Sequence, residues 1–234
     1  MVLALASLAC PILASAQSKS MQKRVSACFL QSLKAQQAVL EKEGREEFVQ
    51  NLPTDIRLQE AVKSADVARY QEMVWAAWCD ANRNLQEQKL IGAEDLQLGR
   101  SDAWNLPGCL EPNAVMPYYY GKKGEAADGK LPLYLYLHGS GPKDAEWQTG
   151  IKLGQSFRDA PSIYFIPQIP NEGEYYRWWH LSKQYAFEKL IRQGLVSGEV
   201  DANRLYVFGI SEGGYGSQRL ASFYADYWAA AGPM

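Results

Sequence analysis

The sequence has little histidine, and this scarcity excludes several kinds of chemistry. Only two of its 234 residues are histidines, His138 and His180. Catalytic zinc sites commonly use two or three histidine ligands, so a zinc enzyme finds little support. A serine-histidine-aspartate triad needs only one histidine, but that residue must stand at a defined place in the chain order.

A strong net charge and a long apolar run in the body of the chain are also missing. The 24 Lys and Arg residues against 26 Asp and Glu give a net charge of −2, which offers no electrostatic footprint for nucleic acid. Beyond the first sixteen residues, no stretch is long and apolar enough to span a bilayer. With 47% hydrophobic and 21% charged residues, the composition is that of a globular protein of one or two domains.

The first sixteen residues predict a signal peptide. Residues 2–13 carry no charge and are mostly apolar, and Ala14-Ser15-Ala16 forms a small-x-small cleavage site. No Lys or Arg precedes the apolar run, and a buried N-terminal helix is the alternative interpretation. We therefore expect export to the periplasm or the extracellular space. Lipid anchoring through Cys10 is not expected, because Ser7 fits a lipobox poorly.

Three cysteines would remain in the mature chain, namely Cys28, Cys79 and Cys109. An odd count leaves at least one thiol without an internal disulfide. Cys28 and Cys79 could pair if their helices pack together, or both could be small apolar residues of the interior. The sequence contains no C-x-x-C motif and no N-glycosylation sequon.

The mature chain divides into two parts of different composition. Residues 17–90 hold one glycine and one proline, whereas residues 91–234 hold all the others of the mature chain. Apolar residues recur at three- and four-residue steps over 21–40 and 56–90, which predicts an antiparallel pair of helices. This helical segment is either a structural prefix or a lid or partner surface for the second part.

The second part predicts an α/β fold with a doubly wound, mostly parallel sheet. Near-continuous apolar strands alternate with helices, as in sheets that are covered on both faces. We expect strands at 116–121, 131–137, 162–166, 204–208 and 227–231, and helices at 178–195 and 213–224.

The segment from Gly124 to Lys130 matches the first part of a phosphate-binding loop. Leu131 occupies the position that needs Ser or Thr, and a strand follows instead of a helix. We interpret this segment as a polar hairpin turn between the first two strands.

The motif with the most chemical content is Gly209-Ile210-Ser211-Glu212-Gly213, which is G-x-S-x-G. It follows a predicted strand directly and leads into a helix start rich in small residues. Glycines on either side of the serine relieve the crowding of a sharp strand-to-helix turn. We therefore predict that Ser211 is a nucleophile, raised above the sheet edge at the start of a helix.

His138-Gly139-Ser140-Gly141 follows the strand 131–137. Together with the segment from Asp201 to Gly216, this motif gives residues 110–234 a likeness to the α/β-hydrolase superfamily. Within it, the chain resembles exported bacterial esterases of the polyhydroxybutyrate-depolymerase and feruloyl-esterase-like type. The resemblance implies acyl transfer through a covalent Ser211 intermediate without a cofactor. It also implies an oxyanion hole made by the backbone N–H of Glu212 and of the Gly139–Ser140 loop.

The histidine of the triad is where the chain departs from this superfamily. The expected order is Ser, then Asp or Glu, then His, but no histidine follows Ser211 and Asp226 is the only acidic residue after Glu212. We therefore expect residues 91–234 to be a hydrolase domain truncated after its nucleophile, inactive alone, with the acid and the histidine beyond Met234. His138 is expected to brace its loop, and His180 as the base would contradict the chain order.

The substrate remains open between several classes. The expected substrate is a small-molecule or polymer-derived ester, and Trp178, Trp179 and Tyr215 are candidate pocket residues. The Glu212 side chain is interpreted as solvent-facing, with selection by substrate charge as the alternative. A serine peptidase of the prolyl-oligopeptidase type and a non-catalytic binding protein of the same fold are the competing functions. No metal, nucleic acid or membrane span is expected. The sequence predicts no particular oligomeric state.

Overall fold

A computed structural model describes residues 11–43, 63–89, 100–106, 111–127, 129–156 and 161–234. The chain forms two compact units, one comprising residues 1–39 with 46–86 and the other residues 40–45 with 87–234. Most of the predicted signal peptide, and also Cys109, lie outside the described residues. Within the described part, no helix combines the length and the apolar character needed to cross a membrane.

The first unit contains two long helices, α1 (Pro11–Glu43) and α2 (Val67–Asn84), with a short 3₁₀ turn at Ser64–Asp66. The Gln22 side chain in α1 donates a hydrogen bond of 2.8 Å to Asp80 near the end of α2. Cys28 and Cys79 are both free thiols, so the disulfide alternative is not realised. Cys79 is buried, and burial raises the pKa of its thiol.

The described residues of the second unit form a six-stranded sheet with three α-helices. Its elements are β1 (Arg100–Asn105), β2 (Val115–Lys123), β3 (Leu131–Leu137), α3 (Lys143–Ser156), β4 (Ser162–Pro167), α4 (Leu181–Ser197), β5 (Val200–Gly209), α5 (Glu212–Phe223) and β6 (Ala230–Pro233). The strand order is β1-β2-β4-β3-β5-β6. The pairs β1–β2 and β2–β4 are antiparallel, and the other three pairs are parallel. The predicted α/β fold class with a mostly parallel sheet is confirmed.

The predicted hairpin between β2 and β3 is wrong. β4 lies between these strands and pairs with both of them. The physical reason lies in β3, where six of the seven residues are buried and the backbone pairs with a parallel strand on each side. Those long-range contacts decide which strands are neighbours, whereas the polar turn fixes only a local reversal. β1 and α3 were not predicted, α4 begins at Leu181, and β6 begins at Ala230.

Alternation along the strands places helices on both faces of the sheet. Tyr136 on β3 and Ile166 on β4 pack with Ile151 of α3 in one apolar cluster. The opposite face of β3 carries Leu137, against which Gly216 of α5 is tightly packed. Apolar side chains therefore pack on both faces of the sheet. The carboxyl ends of the parallel strands lie together at one edge of the sheet.

Candidate active site

The two sequence motifs leave the sheet side by side. β3 and β5 are adjacent and parallel, and Leu137 pairs with Gly209 at their carboxyl ends. The Ile210 N–H donates a hydrogen bond of 3.3 Å to the Leu137 carbonyl. The loop after β3 and the turn after β5 therefore emerge together, at the edge where sheets of this kind place their ligands.

Ser211 has a strained backbone. Its φ of 55° is the only positive φ of a non-glycine residue in the described parts of the chain, and its ψ is −113°. Such a conformation costs on the order of 1–3 kcal/mol and persists only where the surroundings enforce it. The Ser211 N–H donates to the Met234 carbonyl at 2.7 Å, and the Tyr215 N–H donates to the Ser211 carbonyl at 3.1 Å. This turn leaves the Ser211 side chain exposed.

Gly213 allows α5 to begin directly against β3. A Cβ at this position would overlap the Leu137 carbonyl oxygen and lie 2.9 Å from the His138 carbonyl oxygen. Both neighbours are backbone atoms that cannot move aside, so any side chain here would displace the helix start. The second glycine of the G-x-S-x-G motif thus has a packing role.

The loop after β3 is held with its carbonyl groups facing inward. Trp178 Nε1 donates to the His138 carbonyl at 2.8 Å. The Tyr176 hydroxyl donates to the Gly139 carbonyl at 2.7 Å and lies 3.0 Å from the Gly141 carbonyl. In a trans peptide the N–H points away from the preceding carbonyl, so the N–H groups of Gly139 and Ser140 face the opposite side of the loop.

The loop after β3 passes close to Ser211. A Cβ built on Gly139 would lie 3.7 Å from the Ser211 Cβ. Among the described residues, no acceptor is found for the N–H groups of Gly139, Ser140 or Glu212. The site therefore brings backbone N–H groups without a described acceptor close to an exposed hydroxyl.

His138 braces the loop and is not available as a base. The Ile169 N–H donates to its Nε2 at 3.2 Å, so Nδ1 carries the proton and donates to the Gly139 carbonyl at 2.8 Å. Burial lowers the pKa of His138 to about 4. His180 precedes α4, where its ring lies 5.6 Å from that of Tyr175. Burial also lowers the pKa of His180, and neither histidine is hydrogen-bonded to Ser211.

The interpretation of Glu212 as a solvent-facing side chain is wrong. It is only 7% exposed, and the Trp178 backbone N–H lies near its carboxylate. Burial raises the pKa of Glu212, and the nearby positive charge of Arg177 opposes that rise. The residue faces inward because α5 packs under the Tyr176–Trp178 loop, a tertiary contact that the sequence pattern does not show.

An open groove of about 540 Å³ runs along α5. It is lined by Trp179, Tyr215, Gln218, Arg219 and Ser222. Two of the three candidate pocket residues, Trp179 and Tyr215, belong to it. Trp178 does not, because its side chain is fully buried and packs edge-on against the His138 ring, with centroids 4.9 Å apart.

Three features around the site were not predicted from the sequence. Tyr176 is the first, and no periodicity or motif distinguishes it from its neighbours. The second is a fully buried ion pair between Lys183 and Glu111, with Nζ 3.0 and 3.1 Å from the two carboxylate oxygens. The third is the Glu146 carboxylate, which lies against the loop backbone at Gly139 and Gly141. Tyr176 and Lys183 have partners that are distant in sequence, whereas Glu146 lies only five and seven residues from Gly141 and Gly139.

Comparison with known proteins found matches among solved structures only. No protein-family model matches the chain, and no curated protein sequence matches it significantly. A thermostable esterase structure matches at 24% identity over 58% of this chain and 40% of that chain, with a TM-score of 0.46. An acetyl xylan esterase from Aspergillus awamori matches at 15% over 56% and 50%, with a TM-score of 0.41. Oligopeptidase B from Trypanosoma brucei, with covalently bound antipain, matches at 17% over 57% and 19%, with a TM-score of 0.39.

The chain spans less than two thirds of the length of each of these proteins. At such identities the matches concern the fold alone. The structure itself shows a mostly parallel sheet with a strand-turn-helix at Ser211.

Proposed function

We propose that this protein is an exported serine hydrolase that cleaves carboxylic esters through an acyl-enzyme on Ser211. One observation carries the proposal: an exposed serine, strained at the end of a parallel strand, lies close to backbone N–H groups that have no acceptor among the described residues. Strain of this kind concentrates at functional positions. The contacts of the described residues give the Ser211 side chain no structural role that would explain this strain.

The geometry supports a stepwise acyl transfer. The Ser211 hydroxyl attacks the ester carbonyl and gives its proton to a general base. The N–H of Glu212 and those of the Gly139–Ser140 loop stabilise the negative oxygen of the tetrahedral intermediate. The base returns the proton to the leaving alcohol, and water then cleaves the acyl-enzyme to release the acid and the free serine.

The general base is assigned outside the 234 residues. His138 is fully buried with both ring nitrogens engaged, and His180 belongs to the start of α4. We propose that the acid and the histidine of the triad follow Met234, in the chain order of this fold class. Residues 1–16 act as the signal peptide in this proposal, and residues 17–90 form a helical prefix to the hydrolase domain.

The test is turnover by the full-length protein, including any residues encoded after Met234. Initial rates are measured on p-nitrophenyl esters and on proline p-nitroanilides. Ester turnover is expected, with its loss in Ser211→Ala and its retention in Ser156→Ala, an exposed serine at the end of α3. Faster cleavage of the anilides overturns the ester assignment in favour of a peptidase, and no turnover of either overturns the hydrolase.

A further inference from the structure

The groove along α5 has a chemical character that the proposed reaction does not require. It combines two exposed aromatic rings with an arginine, and no mechanistic step described above uses that arginine. We propose that the groove binds the part of the substrate that carries an aromatic ring and a carboxylate, with Arg219 as the residue that selects the negative charge. The inference rests on the proposed function for the position of the ester bond.

The groove follows one face of α5 and begins one helical turn after Ser211. Tyr215 begins one turn after Ser211, to which its N–H is bonded, and Arg219 follows one turn later. Residues spaced by three and four positions share one face of a helix. At a rise of about 1.5 Å per residue, Arg219 lies about 12 Å along the helix from Ser211. This span accommodates a substrate with one ring between ester and charge.

Two aromatic walls define the near part of the groove. Trp179 is 38% exposed and Tyr215 is 64% exposed, and their rings stand perpendicular with centroids 6.0 Å apart. Rings at right angles offer a flat face and an edge, which is the geometry that a third aromatic ring prefers. Burying the exposed surfaces of these two rings favours an aromatic ligand over an aliphatic chain of equal length.

The far part of the groove carries an unbalanced positive charge. The Arg219 guanidinium stacks over the Phe223 ring at 3.6 Å from its centroid, and none of the described carboxylates pairs with it. Stacking fixes the plane of the guanidinium while its N–H edge stays free to bind a carboxylate with two hydrogen bonds. Arg177, which lies over the Trp179 ring, is different because Glu212 lies beside it.

The inference is tested by equilibrium binding, which does not depend on catalysis. Isothermal titration of the full-length protein compares 3-phenylpropanoate with 3-phenylpropanamide, which has the same skeleton without the charge. The acid is expected to bind at least tenfold more tightly, and the preference is expected to shrink as salt concentration rises.

Variants separate the two parts of the groove. Arg219→Gln is expected to abolish the preference for the acid, with Lys152→Gln, an exposed cation on α3, as the control that retains it. Trp179→Ala is expected to weaken acid and amide by the same factor. Equal binding of acid and amide by the unmodified protein, or a preference that survives Arg219→Gln, overturns the inference. Failure of ester turnover with this binding pattern intact would overturn the proposed function and leave the groove assignment standing.

Discussion

Protonation of His138 is expected to destabilise the protein as the pH falls from about 6.5 to about 4. The side chain is fully buried, Nε2 accepts from the Ile169 N–H, and burial lowers the folded-state pKa from 6.5 to about 4. Between these values the unfolded chain binds a proton at this residue and the folded chain does not. Stability therefore rises with pH across this window and is lost as the pH falls through it.

The magnitude follows from the difference between the two pKa values. Each unit of pKa corresponds to about 1.4 kcal/mol, so this one residue accounts for roughly 3 kcal/mol between pH 6.5 and pH 4. A typical domain has a total stability of about 5–15 kcal/mol, so the effect is measurable. Other groups titrate in the same window, and a matched variant is needed to isolate the histidine.

The assay is urea denaturation of the full-length protein at several pH values between 4 and 7. His138→Asn retains an N–H donor near the Nδ1 position but does not titrate. This variant is expected to be less stable at pH 7 and to have a flatter dependence of unfolding free energy on pH. Parallel pH profiles for the variant and the unmodified protein would refute the assignment of a buried neutral histidine.

Substitutions at three further positions test the surrounding structure, and the urea midpoint of unfolding is measured for each variant. Lys183→Met leaves the buried Glu111 carboxylate without its cation and is expected to cost about 3 kcal/mol, whereas an effect below about 1 kcal/mol would mean that the pair is solvated. Gly213→Ala drives a Cβ into the Leu137 carbonyl and is expected to cost about 3 kcal/mol, and a neutral result would contradict the tight helix start. Ser211→Gly relieves the positive φ and is expected to stabilise the fold by about 1 kcal/mol, while Ser211→Ala is expected to leave the strain in place.

The fold class and the position of the serine were predictable because their signals are local. The buried strands β3 and β4 and the second half of β5 appear in the sequence as short apolar runs, and G-x-S-x-G begins at the end of β5. The loop at His138 was recognisable because it directly follows a buried strand. Each of these features depends on residues within about ten positions of one another.

The strand order and the buried polar contacts were not predictable, because they join distant parts of the chain. The position of β4 between β2 and β3 depends on pairing across the sheet, and the turn at Gly124–Lys130 carries no information about it. The sequence around Glu212 is typical of an exposed helix start, yet the Tyr176–Trp178 loop covers this residue. Trp178 and Trp179 are adjacent in sequence, and only the packing of the loop decides that one is buried while the other lines the groove.

Covalent labelling tests whether Ser211 is an activated nucleophile. The full-length protein is treated with a fluorophosphonate probe and analysed by intact mass and peptide mapping. One adduct per chain is expected on Ser211, absent in Ser211→Ala and present at an unchanged rate in Ser156→Ala. A full-length protein that folds but takes up no probe, or one whose adduct maps to another residue, would contradict it.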